Sequence, residues 1–169
     1  YAGGVGPRNA DQERSVAINF QGADTEGPEE PETPATGGLV WSFKASWNFY
    51  LNNIANGTTT VSNGATQGSN GEIGYTQVTG GDYDAETGLG TIRYQGTVRY
   101  VSAAHGFDIA LSDPWVVFDE NGATITANVS RTDTSGVSDL VRIPLAELDA
   151  GAPADVDGLL TWESVAGVF

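Results

Sequence analysis

His105 is the single histidine of the chain, and cysteine and methionine are absent. Of the side chains that hold a soft or borderline metal, one imidazole, six tyrosines and the carboxylates remain. His105 lies in Ala104-His105-Gly106-Phe107-Asp108-Ile109-Ala110-Leu111-Ser112-Asp113-Pro114. The run places it at a turn between two strand-like segments, where a side chain can reach a site. Any metal chemistry here therefore runs through His105 and a tyrosine, or involves no soft metal at all. Against this stands the plain alternative that a lone histidine is a solvated or packing residue.

Other constellations are weaker. Asp82, Asp84 and Glu86 have the alternate spacing of a calcium loop but lack the later glycine and bidentate glutamate of an EF-hand, so they read as a solvated turn. Ser102 and Asp108 lie near His105, yet no nucleophile-elbow motif surrounds a serine. Asn56-Gly57-Thr58 and Asn128-Val129-Ser130 match the glycosylation pattern, which short sequences often do by chance. The chain does not read as an enzyme.

The elements that must position His105 are mostly strands. Leu39, Trp41 and Phe43 alternate with Val40, Ser42 and Lys44, the pattern of a half-buried strand. A helix near residues 46–56 follows, with Trp47, Tyr50, Leu51 and Ile54 on its apolar stripe, Ser46 as N-cap and Gly57 as its stop. Phe49 points away from that stripe. Ile92, Tyr94, Val98 and Tyr100 share one face of a long strand, and Gly96 in its middle suggests a bulge or close backbone approach. Further strands are expected over 72–78, 107–111, 115–118, 123–129, 140–145 and 159–162. About eight to ten strands with one helix imply a mainly β, antiparallel two-sheet sandwich or flattened barrel.

Upstream, residues 1–23 hold one candidate strand at 15–20. Residues 24–37 are an acidic, proline-bearing linker that cannot bury a core, and 38–169 form the main domain. The 15–20 strand can pair on the domain's own sheet, pair with another chain, or end a preceding domain. A formal net charge of −15 argues against nucleic acid or an anionic membrane as partner. No apolar run is long enough to span a bilayer. The chain starts at Tyr1, which is compatible with a missing leader, and zero cysteine is compatible with a secreted bacterial protein.

Four stretches together resemble one family. Gly38-Leu-Val-Trp-Ser-Phe-Lys-Ala-Ser-Trp-Asn-Phe-Tyr50 is similar to the opening of the HtaA domain, a haem-binding module of actinobacterial haem uptake. Residues 80–100 are similar to its central turn and strand, 105–114 to its histidine motif, and Gly158-Leu-Leu-Thr-Trp162 to its closing strand. The turn around His105 is one residue tighter than the family's usual Gly-His-x-Gly.

The resemblance implies a mainly β fold that binds haem b as Fe(III). It places the tyrosine that ligates the iron on Tyr50, the histidine that hydrogen-bonds it on His105, and the family's serine on Ser46. Trp47 and Phe49 would then cover the porphyrin, and Lys44, Arg93 and Arg99 are the cations nearest in sequence for its propionates. It further implies a secreted or cell-surface protein that exchanges haem with other haem-uptake surface proteins or haemoproteins. A phenol ionises near 10, so tyrosine ligates well only when ferric iron and a hydrogen-bond donor stabilise its anion. The acidic charge repels haem carboxylates at long range, leaving affinity to ligation and apolar burial. The alternative is a surface assembly module with this fold, without haem, in which residues 15–20 exchange between subunits and form a homo-oligomer.

Overall fold

The computed structural model of the protein describes residues 16–20, 34–130, 140–157 and 159–169. The strands are β1 (Val16–Phe20), β2 (Pro34–Trp41), β3 (Thr58–Ser62), β4 (Thr66–Gln67), β5 (Ile73–Val78), β6 (Gly90–Gln95) and β7 (Thr97–Ser102). They continue as β8 (Phe107–Asp119), β9 (Gly122–Val129), β10 (Val141–Asp149), β11 (Ala154–Val156) and β12 (Leu159–Val168), and the α-helix α1 is Ala45–Asn53. All the strands belong to one antiparallel sheet, ordered β3-β7-β8-β6-β5-β2-β1-β12-β10-β9, with β4 on β5 and β11 on β12. The sheet curls like a half-barrel. Because β9 also pairs with β8, the end of the path comes back to its third strand. The expected mainly β fold with one helix is therefore present, as one curled sheet.

Alternation decides which side chains fill the inside of the curl. Leu39 and Trp41 are buried while Val40 between them is exposed. Ile92, Tyr94, Val98 and Tyr100 are all buried, so the face read across β6 and β7 is continuous. Gly96 joins these strands at φ 148, and a Cβ there would lie 2.8 Å from the Tyr75 ring and 2.9 Å from the Ala65 Cβ. Only glycine fits both demands.

Several boundaries differ from expectation. Ser46 does not cap α1. The N-cap is Lys44, which offers no side-chain acceptor, and Ser46 is already inside the helix. Ile54 follows the helix and is 56% exposed, because the helix docks through Leu51 and Trp47 and leaves its last turn at the rim. The left-handed residue after α1 is Asn56, at φ 46. Gly57 is required for space: a Cβ would lie 2.3 Å from Leu51 Cδ1 and 3.1 Å from the Val101 carbonyl. The two strands expected at 107–111 and 115–118 are one strand, β8. Pro114 is tolerated inside it because the register with β9 shifts between Ser112 and Trp115. Asp113 stands beside Pro114 at φ 49, and its carboxylate accepts the Gly96 N–H at 3.1 Å.

β1 lies between β2 and β12, paired with both. Its place on the domain's own sheet is one of the arrangements the sequence left open. β2 begins at Pro34, inside the stretch read as linker, with Pro34 opposite Val78 and Gly38 opposite Thr76. Residues 1–15 and 21–33, which hold the rest of the N-terminal segment and linker, lie outside the described residues. Among the described residues no helix is long and apolar enough to cross a membrane.

Candidate functional site

β7 and β8 form a hairpin in which Ser102 faces Phe107 across the ladder. Its loop is Ala103-Ala104-His105-Gly106, with Gly106 at φ 65. Strand alternation sends Val98, Tyr100 and Ser102, with their partners Leu111, Ile109 and Phe107, to one face. Helix α1 packs on that face. The Trp47 ring meets Tyr100 and Phe107, each at 5.5 Å between centroids, and Tyr50 stacks on Phe107 at 6.3 Å. Tyr50 is thereby carried to the hairpin loop, where its hydroxyl lies 2.6 Å from His105 Nδ1. The two rings meet edge-on at 5.4 Å. A phenol and an imidazole that are 55 residues apart in the chain thus form a short hydrogen bond at the molecule's surface.

The other described tyrosines are poor candidates for a ligand. Burial raises the Tyr94 phenol well above its ordinary range. Tyr75 is raised likewise, with the charges of Tyr100 and Asp113 adding to burial. Burial pushes Tyr100 up to about 12, and raises Tyr83 with help from Asp84. A buried phenol resists the ionisation that metal ligation requires. Tyr50 is half-buried, and its hydroxyl is hydrogen-bonded to an imidazole nitrogen.

The remaining expected site residues divide. Ser46 is exposed one turn before Tyr50, on the same side of α1. Phe49 is 61% exposed, about 100° round the helix from Tyr50. Trp47 backs Tyr50 at 5.9 Å and also contacts the Phe43 ring. The cations do not converge on the pair. Lys44 lies over the Phe169 ring at 5.6 Å. Arg99 projects from the opposite face of β7 to Tyr100 and forms a two-pronged pair with Asp108, its Nε donating to Oδ1 at 2.6 Å and its Nη2 to Oδ2. That pair holds the Asp108 carboxyl below the usual carboxylate range. Arg93 stacks on Trp115 at 4.5 Å, and Arg142 on the same ring at 3.7 Å. Trp115 is eight residues along β8 from Phe107, roughly 25 Å at the usual strand rise.

The acidic loop is built as a turn. Asp82 Oδ1 accepts the Thr91 N–H at 2.7 Å, and Asp84 Oδ1 accepts the Glu86 N–H at 2.7 Å. The Glu86 N–H, with Thr87 adding to it, holds the Asp84 carboxyl below its ordinary range. Among the described residues no group of three or more His, Asp or Glu is placed to hold a metal ion.

Tyr100 and Phe107 were not singled out as site residues from sequence, and Ser102 was weighed only as a hydrolase nucleophile beside His105. Alternation across the β7–β8 turn was the available signal, since it puts all three on the face that receives α1.

Fold and site together define a class: a curled antiparallel β domain whose single described α-helix presents a tyrosine to the histidine of a hairpin loop. The HtaA family model, described as Htaa, matches residues 36–168, and the chain belongs to that family. The C-terminal domain of HtaA from Corynebacterium glutamicum superposes with a TM-score of 0.57 at 16% identity, covering 92% of this chain and 98% of that one. The N-terminal domain of the same protein gives a TM-score of 0.55 at 18% identity, covering 81% and 99%. A domain-swapped dimer of a histidine-to-alanine variant of the C-terminal domain gives 0.50 at 23% identity, covering 78% and 74%. At these identities the likeness is one of fold. A comparison with curated proteins finds no match.

Proposed function

We propose that the protein is a secreted or cell-surface module that captures ferric haem and passes it on, holding the iron through the Tyr50 phenolate with His105 as hydrogen-bond partner. The observation that carries this reading is the 2.6 Å contact between Tyr50 Oη and His105 Nδ1 at an accessible rim. Membership of the HtaA family supports haem binding in general. Ferric iron supplies a hard Lewis acid that stabilises a phenolate. An ordinary phenol ionises near 10, so ligation has to displace its proton. His105 Nδ1 is the adjacent atom that can take that proton and donate it back across the same hydrogen bond. Protonation of the ligand oxygen then favours release, which suits a carrier more than a catalyst.

The surroundings fit a flat apolar ligand. Trp47 and Phe107 back the phenol ring, and Phe49 in α1 and Ile54 just after it are exposed. Ala103, Ala104 and Gly106 are exposed and leave the loop open around His105. Arg93 is too distant to serve a propionate and Arg99 is committed to Asp108, so affinity rests on ligation and apolar contact. Ser46 is the hydroxyl best placed beside Tyr50.

The assembly alternative is the weaker reading. β1 fills the slot between β2 and β12 of its own sheet, so the sheet needs no exchanged strand to be complete.

A hemin titration tests the proposal. Hemin added to the protein gives a ferric tyrosinate visible spectrum, which disappears in Tyr50→Phe and changes in His105→Ala. An unchanged hemin spectrum with the unmutated protein overturns the reading.

A further inference from the structure

We infer that Ser102 is the positioning residue of the Tyr50–His105 pair: its hydroxyl closes a circuit of hydrogen bonds that begins at the Tyr50 backbone and ends at the Tyr50 side chain. Each link is present. The Tyr50 carbonyl accepts the Ala55 N–H at 2.8 Å. The Ala55 carbonyl accepts the Ser102 hydroxyl at 2.6 Å. Ser102 Oγ accepts the His105 N–H at 3.1 Å, and His105 Nδ1 meets Tyr50 Oη at 2.6 Å. Ser102 is the last residue of β7 and is 1% exposed, while Ala55 is 0% exposed.

The chemistry of serine suits this junction. One hydroxyl donates once and still accepts through its lone pairs, so it joins a helix carbonyl to a loop amide with nothing between. The two segments it ties are the exit of α1 and the His105 loop, which also meet through the Trp47 and Tyr50 rings on Phe107. The helix exit ends at a left-handed Asn56, and His105 is the third residue of a short, exposed loop. An error of an ångström in either segment breaks a bond of 2.6 Å. Removing the hydroxyl leaves a buried carbonyl and a loop amide without their partner, and both segments relax to find others.

The inference rests on the Tyr50–His105 pair as the working site, and its test begins without haem. The chain's only histidine gives one unambiguous set of imidazole nitrogen signals by NMR. Tyr50→Phe sets the position of the Nδ1 signal when the phenol bond is absent. Ser102→Ala is expected to move the signal toward that position and to speed hydrogen exchange at the His105 amide. Ser102→Thr, which keeps the hydroxyl, restores the original signal. Ser102→Cys, nearly isosteric with a weak donor, gives the same displacement should the alanine variant fail to fold. Ser130→Ala removes another buried serine, the acceptor of the Ala110 N–H, and leaves the imidazole signal in place. In hemin titrations Ser102→Ala binds about 10- to 100-fold more weakly, the usual cost of losing a support behind a ligand. An unmoved Nδ1 signal in Ser102→Ala, or an equal shift in Ser130→Ala, overturns the role of Ser102. An unmoved signal in Tyr50→Phe overturns the pair itself, and a missing tyrosinate spectrum with hemin overturns the haem reading alone.

Discussion

A half-buried tyrosine and an exposed histidine become a site because both are held at one point of the rim. Tyr50 differs from the other described tyrosines in having its hydroxyl at the surface beside an imidazole. Phe49, its neighbour in sequence, is the residue whose two readings separate most cleanly. At 61% exposure its side chain contributes little to the core. Phe49→Ala is therefore expected to change unfolding free energy by no more than about 0.5 kcal/mol, as for surface positions generally. If the ring covers a porphyrin, the same variant weakens hemin binding while the tyrosinate spectrum keeps its shape. Urea unfolding beside a hemin titration checks this, and unchanged affinity removes Phe49 from the site. The cationic residues carry the opposite lesson. Arg93 and Arg99 were near the motifs in sequence, but a side chain's working neighbours are set across the ladder, where Trp115 and Asp108 receive them.

At the scale of elements the decisive contact is α1 against the β7–β8 hairpin. Leu51, 1% exposed, and Trp47 dock the helix, and Gly57 lets the chain pass between Leu51 and the Val101 carbonyl. The strand alternation from Leu39 and the helical spacing of 47, 50 and 51 were legible because they are local periodicities, although β2 ends at Trp41, before Phe43. The cap was not, since Ser46 has the right side chain but lies inside the first turn. Gly57→Ala puts a methyl into occupied space and is expected to cost about 1–3 kcal/mol, the range for overpacking. Because the carbonyl cannot yield as easily as Leu51, the helix shifts and hemin affinity falls with stability. Equilibrium unfolding and hemin titration of the one variant test this, and wild-type stability contradicts the packing argument.

At the scale of the whole molecule the curled sheet encloses tyrosines that a flat, one-sided sheet would leave wet. Burial raises Tyr75 and Tyr94, and raises Tyr100 to about 12. In the unfolded chain these phenols ionise near 10. Their native pKa values are raised, so the stabilising contribution is whole below about 10 and is lost as pH climbs through the native values. In that window the unfolded state holds fewer protons, and each such phenol lowers stability by at most about 1.4 kcal/mol per pH unit. The urea midpoint is expected to stay level to about pH 9 and then fall, with a shallower fall in Tyr100→Phe. A midpoint that holds level to about pH 11 contradicts the burial of these groups.

By itself the sequence determined the class of fold, the inward faces of β2, β6 and β7 and the identity of the two residues that meet. Those follow from alternation, helical spacing, a motif order spread over the chain, and the presence of a single histidine. Tertiary structure alone decided that Tyr50 and His105 touch, that Ser102 joins their supports, that Arg93 and Arg99 belong to other partners, and that β1 completes its own sheet. The reason is physical. Periodicity is a property of neighbours along the chain, whereas strand register and helix docking bring together residues tens of positions apart, where an offset of one residue turns a side chain to the other face.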